Sequence, residues 1–276
     1  MKKLLKVRKI ALVALIYLCI VLVCAVFAEF IATYDPNETH GRDRLSFFSN
    51  IYLLGTDNYG RDIFSRLIYG TRMSLLGSLG IVAFSVVFGV ILGVVAGYVK
   101  PAQAVLMRII DVLMAFPPLL LAMVLVTILG SGVFNVIVAL GTYYMTRMTR
   151  IIYSMTLKTK EEVYIEALRS EGAGTLRIIF RHIVPNLISP IIVQATFTFS
   201  AALLQMASLD FLGLGIPTQY PTWGNMLSEG SRFMTRAPWL VILPGLVIVF
   251  TVLSINVMGD LLRDNIDPRF RDIVKS

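Results

Sequence analysis

SLLGSLGIVAFSVVFGVILGVVAGYV, running from Ser74 to Val99, decides the class of fold. No charged residue interrupts it. As a helix it would extend about 39 Å, more than the ~30 Å hydrocarbon core of a bilayer. It lacks the apolar–polar alternation of a barrel strand. Gly89, Gly93 and Gly97 recur at i+4, a spacing that lets a second helix backbone come close.

Five further apolar runs lie outward from this one: Ile10–Thr33, Ala104–Leu129, Gly132–Met148, Leu187–Leu209 and Trp239–Leu262. The expected fold is therefore an all-α integral membrane protein with six transmembrane helices. Composition agrees: 57% of residues are hydrophobic and only 15% charged, against about 25% charged in soluble domains. The run Gly132–Met148 is the shortest, cut off by Arg147 and Arg150. The first run is read as an uncleaved anchor. Lys2, Lys3, Lys6, Arg8 and Lys9 resemble a signal n-region and Val26-Phe27-Ala28 a cleavage site. Its apolar stretch nevertheless exceeds the ~7–15 residues of a signal core.

Of the 25 Lys and Arg residues, seven fall on one side of this topology: Arg42, Arg44, Arg61, Arg66, Arg72, Arg232 and Arg236. The other 18 fall with the two termini, so the positive-inside rule predicts both termini cytoplasmic. The net charge of +8 is thereby a matter of topology, and no nucleic-acid partner is expected. No Gly is followed by Lys, so a GxxxxGK[ST] phosphate loop is absent from the sequence. His40 and His182 stand alone, and Cys19 and Cys24 lie together in the first apolar run. They predict no metal site, no cofactor in this chain and no catalytic centre. Met107, Met114, Met123, Met145 and Met206 read as packing residues.

Between the fourth and fifth runs stands KTKEEVYIEALRSEGAGTLRIIFRHIVPN, Lys158 to Asn186. Strong helix formers fill Lys158–Glu171, Gly172 and Gly174 interrupt, and Pro185 breaks a second run, Thr175–Ile183. The bland reading is a solvated loop helix; the sharper one is a jointed element projecting from the membrane. In Asp57–Gly70, Ile63, Phe64, Leu67 and Ile68 share one face, with Asp62 and Arg66 at i, i+4; this predicts an interfacial helix or a face presented to a partner. Asp111, an ionisable residue within a span, is expected to pair with Arg108. Pro117-Pro118 and Pro190 mark kinks, and Trp223 reads as an interface anchor.

Glu166-Ala167-Leu168, Gly172 and Pro185 resemble the EAA motif of ATP-binding-cassette importer permeases, with Leu168 and Val184 as apolar departures from the usual pattern. Leu54-Gly-Thr-Asp57-Asn-Tyr-Gly60-Arg61-Asp62, continuing to Leu75, is similar to a second stretch of the dipeptide/oligopeptide/nickel permeases, C-type subunit. Phe211-Leu-Gly213-Leu-Gly215 with Pro221-Thr-Trp223-Gly224 resembles a third, Asp210 standing where many members carry a small hydroxyl residue. The resemblance implies a type I importer permease architecture. It divides the chain into a tail and first helix (1–33), an extracytoplasmic loop (34–73), a five-helix core (74–262) holding a coupling segment (151–185), and a cytoplasmic tail (263–276). Glu166, Ala167, Leu168, Gly172, Ala173 and Pro185 would face the ATPase; Asp111, Pro117 and Asp210 are pathway candidates. The implied partners are a second homologous permease, two ATP-binding subunits, an extracytoplasmic solute-binding protein and membrane lipid. The implied place is a bacterial or archaeal cytoplasmic membrane. The solute would be a peptide, a nickel chelate or a related small molecule. Two rival readings are a stand-alone secondary transporter and a membrane scaffold.

Overall fold

The computed structural model describes residues 2–266. In chain order its helices are α1 (Lys2–Val26), α2 (Ala28–Ile31), α3 (Ile63–Tyr98), α4 (Lys100–Met114), α5 (Pro118–Leu129) and α6 (Val133–Lys160). Then come α7 (Val163–Ser170), α8 (Thr175–Ile178), a π-helical turn (Ile179–Ile183), α9 (Val184–Phe211), α10 (Trp223–Ser231) and α11 (Trp239–Ile266). The expected tail, 263–276, lies outside the described residues from 267 onward.

Among the described residues, four helical paths are long and apolar enough to cross a membrane: α1, α3, Thr175–Phe211 and α11. The run Ala104–Leu129 is not one straight span. It is α4 and α5 joined at a 97° bend, because Pro117 and Pro118 withdraw two backbone donors where the helix would continue. The pair raises the number of apolar crossings to five at most. α6 continues twelve residues past the expected end at Met148, carries Arg147, Arg150, Lys158 and Lys160 along its second half, and is not one of the four.

Helix directions follow from contacts. A Cβ built at Gly80 would meet the Ile137 side chain, at Gly89 Met148, at Gly93 Ile152 and at Gly97 Thr156. Positions advance together, so α3 and α6 run parallel. The intervening α4–α5 must therefore cross back, which makes it a broken traverse and not a hairpin returning to its own side. α9 runs against α3, with Met206 at Gly77 and Leu187 clustered with Val94. α1 ends where the Arg72 Nε donates to the Ala25 carbonyl (3.0 Å), and the Tyr17 hydroxyl donates to the Val247 carbonyl of α11 (3.1 Å).

The bundle thus has two ends. A cap end carries residues 33–62 and α10; a joint end carries α7 and α8. The Asp57–Gly70 stretch is not an interfacial helix. Asp62 caps α3 by accepting from Ser65 N (2.9 Å), and Ile63, Leu67 and Ile68 are buried in protein as the first turns of a 36-residue helix.

Candidate functional site

At the joint end, α6 stops at Lys160, two glutamates later α7 begins, and the helix expected over Lys158–Glu171 is split there. α7 ends in a Schellman turn: Gly172 N donates to the Arg169 carbonyl (3.0 Å) and Ala173 N to the Leu168 carbonyl (2.9 Å). The turn requires a left-handed residue, and Gly172 has φ +85°. Nothing lies within 4 Å of a Cβ built there. Gly172 is needed for its backbone angle and not to let a second helix come close. The half-buried Leu168 and Ala173 form the apolar contact that accompanies such a turn and rest against a core cluster of Val94, Ile152, Ile178 and Leu187.

One face of α7 goes inward through Ile165, fully buried. Glu166, Ala167, Gly172 and Pro185 are exposed, as are Val163, Leu176 and Phe180. Pro185 does not end the helix as expected. It occupies the first turn of α9, where no donor is needed, and the π turn before it accommodates the ring, so the path from Thr175 to Phe211 is helical throughout. Asn186 Nδ2 donates to the Tyr164 hydroxyl (2.9 Å), tying α7 to α9.

At the cap end the chemistry is ionic. Arg61 donates to the Asp57 carboxylate (2.6 Å) and to Glu229 of α10 (2.6 Å); Arg66 donates to Glu229 (3.2 Å) and to the Pro36 carbonyl (3.1 Å). Arg66 is 1% exposed and its expected i, i+4 partner Asp62 is engaged in capping. The network pins loop 34–62 and α10 to the head of α3. Trp223 is not an interface anchor but a core residue, fully buried, its indole N–H donating to the Leu67 carbonyl (3.3 Å).

The three pathway candidates separate. Asp210 is 1% exposed and accepts from Ile216 N (2.8 Å) and the Thr222 hydroxyl (2.7 Å). It clamps the Phe211–Gly215 turn and borders a polar cavity of about 430 Å³ that Arg232, Glu229 and Tyr59 also line. Asp111, on α4, pairs with Arg150 of α6 and not with Arg108, because the bend at Pro117 lays α4 across α6. Pro117 is exposed at that bend. Among the described residues no three His, Cys, Asp or Glu side chains are placed to hold a metal ion. Sequence reading misses Glu229. The partner of Arg61 and Arg66 lies more than 160 positions away, and nothing local marks it.

A family model described as the binding-protein-dependent transport system inner membrane component matches residues 85–272, and one for the N-terminal TM domain of oligopeptide transport permease C matches residues 3–50. The di/tripeptide transport system permease protein DppC of Pseudomonas aeruginosa is 42% identical over 273 residues, 96% of this chain and 90% of that protein. The dipeptide transport system permease protein DppC of Escherichia coli is 44% identical over 274 residues, 96% of this chain and 91% of that one. Among solved structures, a chain of the MetNI methionine ABC transporter in an inward-facing conformation superposes with TM-score 0.61. It is 19% identical and covers 73% of this chain and 96% of its own, a likeness of fold.

Proposed function

The chain belongs to the family of inner membrane components of binding-protein-dependent transport systems, and from that premise we propose how it works and on what. It is a multi-pass permease subunit of an ATP-driven importer, and the reading as a stand-alone carrier falls with the family assignment. Its solute is a short peptide, as the names of the relatives suggest. It forms half of the translocation pathway beside a second, homologous permease. An extracytoplasmic binding protein delivers the solute, and two ATP-binding subunits power the cycle. The chain itself hydrolyses no ATP and needs no cofactor.

Six traverses, α1, α3, α4–α5, α6, α9 and α11, put both termini in the cytoplasm. The joint end is cytoplasmic and the cap end extracytoplasmic. The division into 1–33, 34–73, 74–262 and 263–276 follows that arrangement.

One observation carries the reading. The joint end presents a short helix whose exposed face holds Glu166 and Ala167, while its buried face, through Ile165, is set into the cluster that joins α3, α6 and α9. A push on that face reaches three long helices together, which is the rigid-body transmission an importer requires. Glu166, Ala167, Leu168, Gly172, Ala173 and Pro185 form or support this docking surface; Asp111, Pro117 and Asp210 keep structural roles beside the pathway. The test is peptide uptake by proteoliposomes containing the whole complex. Glu166→Lys reverses a charge at the docking face. We expect uptake and ATPase co-purification to fall together while membrane abundance holds; normal uptake by this variant would overturn the assignment.

A further inference from the structure

At the joint end α3 differs from its neighbours. α6 runs into α7 through Glu161 and Glu162, and α8 runs into α9 through the π turn, so both are connected to the jointed element by the chain. α3 turns away into α4 at Val99 and has no such connection.

Its last residue, Tyr98, supplies one. Lys160 Nζ lies 5.4 Å from the centre of the Tyr98 ring and the Arg169 guanidinium 5.3 Å from it, both within cation–π range. Lys160 also donates to the Tyr98 carbonyl (3.1 Å) and the Gly97 carbonyl (3.3 Å), groups left without helical partners at the negative end of α3. One aromatic ring therefore gathers the end of α6, the C-terminal half of α7 and the end of α3. Tyr98 is half-buried against the cluster that receives Ile165.

We propose that Tyr98 is a positioning residue that clasps α7 to the end of α3 through Lys160 and Arg169, so that movement of α7 drives α3 with α6. The transport role of this clasp rests on the function proposed above; its mechanical role does not. The ring is what matters, since both cations address the aromatic face and the hydroxyl has no part. Phenylalanine should serve and leucine should not.

The test has two arms on the assembled complex. For the first, a spin label is placed at Val163, which is 80% exposed, in a background with Cys19 and Cys24 replaced. Tyr98→Leu and Arg169→Gln should raise label mobility, while Tyr98→Phe and Arg169→Lys should keep it as in the parent. For the second, peptide uptake per ATP hydrolysed should fall about threefold or more in the two disruptive variants, the scale set by losing one or two such contacts, with ATPase binding retained. Arg169 is exposed, so its variants fold even if Tyr98→Leu does not. Unchanged mobility in Arg169→Gln, or loss in Tyr98→Phe equal to that in Tyr98→Leu, would overturn the clasp. Mobility that changes as expected in a complex with no ATP-driven uptake would instead strike the functional reading and leave the clasp standing.

Discussion

Along the α3–α6 seam glycine supplies room; at the α7–α8 joint it supplies an angle. A Cβ at Gly93 would stand 2.6 Å from Ile152 Cβ and 2.8 Å from the Thr149 carbonyl, and the same closeness recurs at Gly89 and Gly97. Those three have ordinary helical backbones and lie within one 36-residue helix. Gly172 is the reverse: open space surrounds it, and its φ of +85° is the constraint. The seam makes two helices into one beam. The joint lets a short helix turn off that beam and still be held by Ile165 beneath it. A transmission element needs both, a stiff member and a sharply set lever, and the residue type alone does not say which a glycine serves.

The cap end extends the contrast, because it is fixed by charge where the seam is fixed by fit. Glu229→Ala should have the largest effect on stability. It leaves Arg61 and Arg66, 10% and 1% exposed, without their shared carboxylate, and removing one partner of a buried pair costs about 3–5 kcal/mol. Since Glu229 is itself one-fifth exposed and Asp57 remains beside both arginines, the lower end of that range is expected. Thermal unfolding of the detergent-solubilised chain measures it, and a loss under 1 kcal/mol would show that the network is not a fastening. Gly93→Ala comes next, at about 1–3 kcal/mol for overpacking, because the Thr149 carbonyl is backbone and cannot rotate away.

Gly172→Ala separates the two glycine roles. A left-handed alanine costs about 1–2 kcal/mol, borne by one exposed turn. The open space around that turn lets it rearrange locally and relieve part of the strain, so the unfolding temperature should fall less than in Gly93→Ala, while peptide uptake falls as α7 loses its setting. Equal unfolding losses for Gly93→Ala and Gly172→Ala would erase the distinction.

Much of this was legible beforehand, and the failures share a cause. α1, α3, α9 and α11 follow from uninterrupted apolar runs, because in a bilayer the requirement to satisfy every backbone group within one segment makes length and apolarity nearly sufficient. The seam showed as an i+4 pattern. The bend at Pro117 was marked by its prolines but not its 97° angle, which depends on α6 running parallel to α3 and so on contacts between distant segments. For the same reason the local sequence points Asp111 to Arg108 and Arg66 to Asp62, where the fold pairs them with Arg150 and Glu229. Local spacing proposes a partner three or four positions away; the fold supplies one 39 and 163 positions away. Trp223 misled by its loop setting, since nothing nearby shows that α10 tucks under the head of α3.

Pro185→Ala should have the smallest effect and gives the sharpest test of how the joint is continued into the bundle. If proline stopped one helix and separated it from the next, its removal would fuse them and change the direction in which α8 leaves. The structure has no such stop. Val184 N donates to the Ile179 carbonyl in the π turn, α9 starts at Val184, and Pro185 stands in its first turn with the side chain exposed. A proline whose φ already suits its helix stabilises mainly by restricting the unfolded chain, by about 0.4–1 kcal/mol, and alanine should lose no more than that. The new N–H at position 185 points back toward the carbonyls of the π turn, and a bond there would offset part of the loss. Unfolding temperature and peptide uptake should both stay close to those of the parent protein, in contrast to Gly172→Ala one turn beyond α7. A large loss of uptake in Pro185→Ala at unchanged stability would mean that the ring itself is part of the docking face and that the rigid path runs only as far as the π turn.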